Sequence, residues 1–207
     1  ENFIQTLTLL LPLSLMISLL QILPRLDKID KNIFTRFLKY SLPGIFVGLN
    51  VILIFSPNIN LVVAIILCTS VCLKTKLLSQ LIHGTVIKFD KLFIFLIGLI
   101  HGLSNLGGPL LVLRVSLEKF DKETYRTLTA AIYLLFAIIQ GSIITSKIGY
   151  IEVSITYFSF AALIYFLTNR FIFFKMNDIL YDRAITFLMF LVAFFLFTKY
   201  FGIVGNL

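Results

Sequence analysis

Charge is what this chain has least of. Only 14% of its 207 residues are Asp, Glu, Lys or Arg, where a soluble domain carries about 25%. Hydrophobic residues make up 59%, and the mean hydropathy is +1.01. These values exclude an ordinary soluble domain and describe a polytopic membrane protein. Cysteine is nearly absent. Cys68 and Cys72 stand four apart in an apolar segment, on one helix face and without a companion His or Cys pair. That implies no disulfide framework and favours two small buried residues over metal ligands. The start at Glu1 shows no basic, apolar and small-residue succession of a signal peptide. The net charge of +8 is no nucleic-acid footprint, because the basic residues lie between apolar segments.

Apolar runs of spanning length fall at Phe3–Leu23, Phe37–Phe55, Leu61–Leu78, Tyr125–Thr145, Ile151–Leu167 and Ala184–Phe201. Between the third and fourth lies a different stretch. Two short apolar arms, Leu92–Leu103 and Pro109–Val115, flank the polar, glycine-rich break Ser104-Asn105-Leu106-Gly107-Gly108. Lipid cannot hydrogen-bond backbone exposed at a break, so the sequence places this one inside protein or against a wet cavity. A helix restarting at Pro109 aims free N–H groups and the positive end of its dipole back at the break.

The basic residues decide whether the broken stretch crosses or returns. They form four groups: Arg25 to Lys39, Lys74 to Lys91, Arg114 to Arg126, and Arg170 to Arg183, with Lys147 and Lys199 alone. A stretch that returns to its own side puts sixteen of the eighteen on that side, whereas one that crosses divides them eleven to seven. The positive-inside rule selects the return. The expected fold is therefore an all-α polytopic membrane protein with six transmembrane helices and one re-entrant broken-helix hairpin dipping in from the cytoplasm. Pro24–Arg36 reads as a polar cytoplasmic connector, and Ser56-Pro57-Asn58-Ile59-Asn60 as a tight uncharged outer turn. Leu77–Lys91 either continues the third helix or lies along the interface.

An internal repeat is visible at an offset of about 120 residues. Gln5-Thr6-Leu7-Thr8 matches Arg126-Thr127-Leu128-Thr129, each apolar run then ends in Gln21 or Gln140, and Pro57-Asn58-Ile59 matches Asn177-Asp178-Ile179. Under the hairpin topology the halves have opposite orientation, an inverted repeat. The first repeat and cytoplasmic connector occupy 1-91, and the second repeat, opened by the Gly-Gly-Pro hairpin, occupies 92-207. The matching hairpin of the first repeat is expected upstream of Glu1.

The run from Gly98-Leu99-Ile100-His101-Gly102 through Gly107-Gly108-Pro109-Leu110-Leu111-Val112 resembles the TauE/SafE family of sulfite and sulfonate exporter-like anion transporters. Glu123-Thr124-Tyr125-Arg126-Thr127-Leu128-Thr129-Ala130-Ala131 is similar to that family's next helix start, and Leu42-Pro43-Gly44 with Gly48 to its packed helix after the cytoplasmic loop. Gln5 stands where members often have glycine, and His101 and Asn105 where many have apolar or small residues. The resemblance implies a secondary transporter that exports a small anion (sulfite, a sulfonate or a related sulfur oxyanion) by alternating access across a bacterial cytoplasmic (inner) membrane. It implies no enzyme, cofactor or metal. The expected partners are the anion and the lipid bilayer, with a homo-oligomer left open.

The expected substrate-binding residues are Ser104, Asn105, Gly107, Gly108, Pro109, Thr6, Thr8, Thr127 and Thr129. Each has a structural alternative: capping for Ser104 and Asn105, a kink or close packing for the glycines and proline, and back-bonding to the helix for the threonines. His101, an ionisable group at membrane depth, is a candidate for proton coupling or a buried structural histidine. Arg114 reads as a snorkelling anchor or a charge drawing anions in, Gln21 and Gln140 as hydrogen-bonding to neighbouring helices, and Glu118 to Glu123 as a solvated loop. Two other classes compete. One is a non-transporting membrane scaffold. The other is an intramembrane serine hydrolase using Ser104 with His101, which lacks a Gly-x-Ser-x-Gly elbow.

Overall fold

The computed structural model describes residues 3–55, 64–65, 68–69, 72, 84–118, 120–149 and 155–200. These residues are helical nearly throughout, and no strand occurs among them. Helix α1 spans Phe3–Ile22 and runs into a 3-10 segment, Leu23–Lys28. Helix α2 spans Lys31–Phe55, α3 Asp90–Ser104, α4 Gly108–Ser116, α5 Lys122–Ile148, α6 Ile155–Phe171 and α7 Asp178–Tyr200.

Helix ends follow local chemistry. Asp30 opens α2 by accepting the N–H groups of Asn32 and Ile33 at 2.9 and 3.0 Å, so the polar connector Pro24–Arg36 is largely helical rather than a loop. Asp121 opens α5 in the same way, accepting from Glu123 and Thr124. These hydrogen bonds hold its carboxyl below the usual carboxylate range. Asn177 caps α7 through the Leu180 N–H at 2.8 Å. Of the third apolar run, Leu61–Leu78, the five described positions are helical. The outer turn at Ser56–Asn60 lies outside the described residues. Residues 84–88 form a helical lead into α3.

Among the described residues, four helices are long and apolar enough to cross a membrane: Leu7–Lys28, Lys31–Phe55, Lys122–Lys147 and Ile155–Lys175. Large apolar side chains cover their outer surfaces, including Phe46, Ile54, Phe160 and Phe166, and that of α7, including Phe187 and Phe194. Such a surface is satisfied by acyl chains and not by water, and the chain is an integral membrane protein. Cys68 and Cys72 are exposed rather than buried as expected. Lipid tolerates a small apolar thiol as readily as a protein core does.

Helices α2 and α3 lie backbone against backbone. A Cβ on Gly44 would overlap the Phe95 carbonyl oxygen and stand 2.7 Å from Leu99 N, and one on Gly102 would stand 2.5 Å from the Ile45 carbonyl oxygen. Gly48 faces Leu99, and Gly98 faces Ser41, just as closely. Small residues at four-residue spacing on both helices allow this approach, as helix association in lipid requires. Helix α5 covers the pair, burying Phe37, Ile94, Ile97, Leu111, Leu128, Ile132 and Phe136 in one core. Helix α1 packs antiparallel to α5. Arg25 pairs with Glu123 at one end (3.4 Å), and Leu7 and Leu11 cluster with Ala137 and Ile144 towards the other.

The first end gathers the charge. Arg36 and Arg114 both meet Asp90 there, and the Lys122 ammonium donates to the Phe173 and Met176 carbonyl oxygens. Lys147 marks the opposite end, donating to Asn50 Oδ1 at 3.2 Å.

Candidate functional site

Helices α3 and α4 form a hairpin. Arg114, in the last turn of α4, donates from Nε to Asp90 Oδ1, in the first turn of α3, at 2.6 Å. Both arms therefore return to one end. From Asp90 to Ser104, α3 rises about 21 Å at 1.5 Å per residue, short of the roughly 30 Å hydrocarbon core. The break forms the tip of this short hairpin, sheltered by α2 and α5.

At the tip, each residue has a definite task. Asn105 takes the left-handed conformation (φ 58°) and returns its N–H to the His101 carbonyl at 2.7 Å, ending α3 as helices commonly end. The Ser104 hydroxyl donates to the Ile100 carbonyl at 2.7 Å and accepts the Leu106 N–H at 3.1 Å. Helix α4 begins within its Gly-Gly-Pro, and its Leu111 N–H returns to the Gly107 carbonyl at 3.1 Å. First-turn N–H groups have no acceptor within their own helix, and Pro109 has no N–H at all. The amides of Gly108 and Leu110 are thus the polar groups at this buried helix start. Glycine is required by proximity. A Cβ on Gly107 would lie 2.6 Å from His101 Cβ, and one on Gly108 would run into the Tyr133 hydroxyl.

One stripe of α5 faces the hairpin: Tyr125, Thr129, Tyr133, Phe136 and Gln140, spaced three or four apart. The Tyr125 hydroxyl donates to the Val112 carbonyl at 2.9 Å. The Tyr133 hydroxyl rests on Gly108, and its ring lies edge-on to the His101 ring with centroids 5.8 Å apart. Phe136 packs on His101 at 4.7 Å. Gln140 is fully buried, and its Nε2 donates to the His101 carbonyl at 3.2 Å. Four buried polar side-chain atoms have no hydrogen-bond partner among the described residues: His101 Nδ1, Gln140 Oε1, Thr129 Oγ1 and Thr127 Oγ1. Three of the four lie on α3 or on the α5 stripe that covers the hairpin. Buried polar atoms are seldom left this way.

The structure brings together Ser104, Asn105, Gly107, Gly108, Pro109, Thr129 and His101. It does not bring the other threonines to them. Thr127, two residues from Thr129, lies on the far side of α5, next in the helical rotation to Ala130 and Ala131, which pack on Ile22. Thr8 is half-buried on α1 at the end remote from Thr127. The Thr6 side chain lies outside the described residues. Antiparallel packing of α1 on α5 separates the two Thr-Leu-Thr motifs.

At the base, Arg114 is 3% exposed and is held by Asp90 and by Glu118 (2.7 Å). It is a buried ion-pair partner, not a snorkelling anchor. The segment expected as a solvated loop likewise has assigned work: Glu118 holds Arg114, Asp121 caps α5, and Lys122 ties α5 to the turn before α7. A cleft of about 160 Å³ lies at this end, lined by Ser116, Phe120, Lys122, Tyr125, Asp178, Tyr181 and Asp182. Residues the sequence reading passed over are Asp90 and Tyr133. The signal for Tyr133 was its spacing, four after Thr129 and seven before Gln140.

Among the described residues no group of three or more His, Cys, Asp or Glu is placed to hold a metal ion. The fold and site define the class, an integral membrane protein with a broken-helix hairpin enclosed by longer apolar helices. No protein-family model, curated protein or solved structure matches the chain.

Proposed function

We propose that this chain is a secondary transporter that exports a small anion across a bacterial cytoplasmic membrane by alternating access. The substrate class is sulfite, a sulfonate or a related sulfur oxyanion, as the resemblance to the TauE/SafE family implies. The hairpin enters from the cytoplasm, six helices cross, and the halves 1-91 and 92-207 form an inverted repeat. One observation carries the reading. The first turn of α4 starts at Gly108 inside the fold, where amides and dipole favour negative charge, and the α5 stripe beside it holds buried polar atoms without partners. Thr129 and Tyr133 supply hydroxyls there, and Asn105 an amide.

The purified full-length protein tests this with sulfite, sulfate, thiosulfate and sulfoacetate. At least one is expected to raise its melting temperature and to move across vesicles containing it. Failure of all four sinks the substrate assignment. Gly107→Leu is expected to abolish the movement but also to disturb the packing against His101, so the scaffold alternative is decided instead by the wild type: a folded protein that moves none of the four anions favours it. The hydrolase alternative is disfavoured because Ser104 gives its proton to the Ile100 carbonyl.

A further inference from the structure

Arg126 is a buried charge without a counter-charge. It is 9% exposed, and among the described residues no carboxylate stands within ion-pair distance of it. Its Nη1 donates to Asn169 Oδ1, a neutral acceptor, at 2.6 Å. Its guanidinium lies over the Phe173 ring, 4.1 Å from the centroid, and 5.4 Å from that of Tyr165. Glu123, one turn earlier on α5, is turned to Arg25 instead. Buried arginines are ordinarily paired, and Arg114 in this same fold has two carboxylates. Two rings and one amide offset part of the cost of burying Arg126 but leave its charge unneutralised.

The guanidinium is not sealed. Asn169 takes one of its five N–H groups. None of its nitrogens is among the enclosed atoms left without a partner, so the remaining N–H groups keep an opening. Further donors stand beside it. Asn169 spends its oxygen on Arg126, which leaves its NH2 group to donate elsewhere. Arg25 holds its guanidinium 5.8 Å from the centroid of Phe174, the ring adjacent to Phe173. Lys122 lies over Phe173 as well, but its ammonium is taken up by the Phe173 and Met176 carbonyls. Two guanidiniums thus border one pair of rings with Glu123 as their only close carboxylate among the described residues, and one positive charge is left over.

The depth of this group is also defined. The apolar spans Leu7–Lys28, Lys122–Lys147 and Ile155–Lys175 all have an end here, and the Tyr165 hydroxyl ties α6 to the Leu20 carbonyl of α1. Arg126 stands about 6 Å along α5 from Lys122 at 1.5 Å per residue, where hydrocarbon gives way to headgroups. It shares its face of α5 with Ala130, which packs on Ile22 of α1, and not with the stripe that covers the hairpin.

We propose that Arg126, with Arg25 and the Asn169 amide, seats a phosphate-type oxyanion at headgroup depth, where α1, α5 and α6 meet. A planar guanidinium meets two oxygens of such a group at once, and the anion supplies the charge that the chain does not. A lipid phosphodiester and free phosphate offer the same chemistry. The site is separate from the hairpin tip and does not need the transport reading.

Full-length protein in a neutral detergent is titrated with phosphatidylglycerol, with diacylglycerol of the same chains, and with inorganic phosphate, and its melting temperature is followed. Phosphatidylglycerol, inorganic phosphate or both are expected to raise it, and diacylglycerol is not. A response to phosphatidylglycerol alone identifies a lipid seat, and a response to phosphate a seat for a soluble oxyanion. Arg126→Gln is expected to weaken the binding about tenfold or more, and Arg126→Lys, which keeps the charge but not the fork, to weaken it less. Lys39→Gln, which removes an exposed cation of α2, is expected to leave it unchanged. Should Arg126→Gln not fold, Arg25→Gln at the edge of the site decides in its place, with a smaller loss expected. Equal responses to phosphatidylglycerol and diacylglycerol, no response to either phosphate-bearing probe, or a response undiminished in the deciding variant overturns the site.

Discussion

Asp90 Oδ1 receives the Arg114 Nε hydrogen at 2.6 Å, and this one bond closes the hairpin at its base. Arg114 is almost fully enclosed, whereas Arg36 and Glu118, the outer members of the network, reach water. Removing Asp90 leaves Glu118 as the only described carboxylate on a buried guanidinium. Breaking such a pair costs about 3 kcal/mol, so Asp90→Ala is expected to melt well below the wild type in detergent. Asp90→Leu combined with Arg114→Leu is expected to recover most of that loss, because it strands no charge. An Asp90→Ala protein melting like the wild type refutes the closure.

The contact between α2 and α3 makes a sharper prediction. Alanine at Gly44, Gly48, Gly98 or Gly102 forces a methyl group into opposing backbone. Overpacking of this kind costs about 1–3 kcal/mol. Gly84 is the control, since nothing lies within 4 Å of its Cβ position. In its helical setting Gly84→Ala is expected to gain about 0.5–1 kcal/mol. Thermal melts of the five variants check the contrast, and equal effects at Gly84 and Gly98 refute the packing.

At the tip, Asn105 is the only described non-glycine residue with positive φ. Asn105→Gly is expected to fold at least as stably as the wild type, and Asn105→Val to lose about 1–3 kcal/mol from forcing a branched side chain into that region. If valine is neutral there, the left-handed end of α3 is refuted.

The cap of α5 gives a pH dependence with a definite sign. The Asp121 carboxyl is held below its ordinary value by hydrogen bonds from the Thr124 backbone and side chain and from the Glu123 backbone. Its stabilisation is complete above the unfolded value of about 3.9 and is lost as pH falls through the lower folded value. Asp121→Ala is expected to cost about 1 kcal/mol near neutral pH, and the gap from the wild type is expected to close below pH 3.9. A gap that persists in acid assigns the effect to something other than the cap.

Much of this was legible from residue order. The arms expected at Leu92–Leu103 and Pro109–Val115 are α3, Asp90–Ser104, and α4, Gly108–Ser116, because glycine, proline and polarity act locally. The shared basic end was legible because charge has to stay near water. What local rules could not give was the partner of each group. Asp90 and Arg114 are 24 residues apart, and Arg36 and Asp90 are 54 apart. Only the folded hairpin shows that the apparent anchor Arg114 is enclosed. The opposite orientation of the two Thr-Leu-Thr motifs was expected, but not that antiparallel packing of α1 and α5 keeps Thr8 and Thr127 away from the hairpin tip.

The close seating of α2 on α3 also determines which parts of the molecule can shift. With main chain pressed on main chain, no layer of side chains remains on which one helix could slide over the other. These two helices, α2 from the first half and α3 opening the second, must travel as a single plate. Any cycle that exposes the hairpin tip first to one aqueous compartment and then to the other therefore has to open along the seam with α5, where the Tyr133 hydroxyl rests on Gly108.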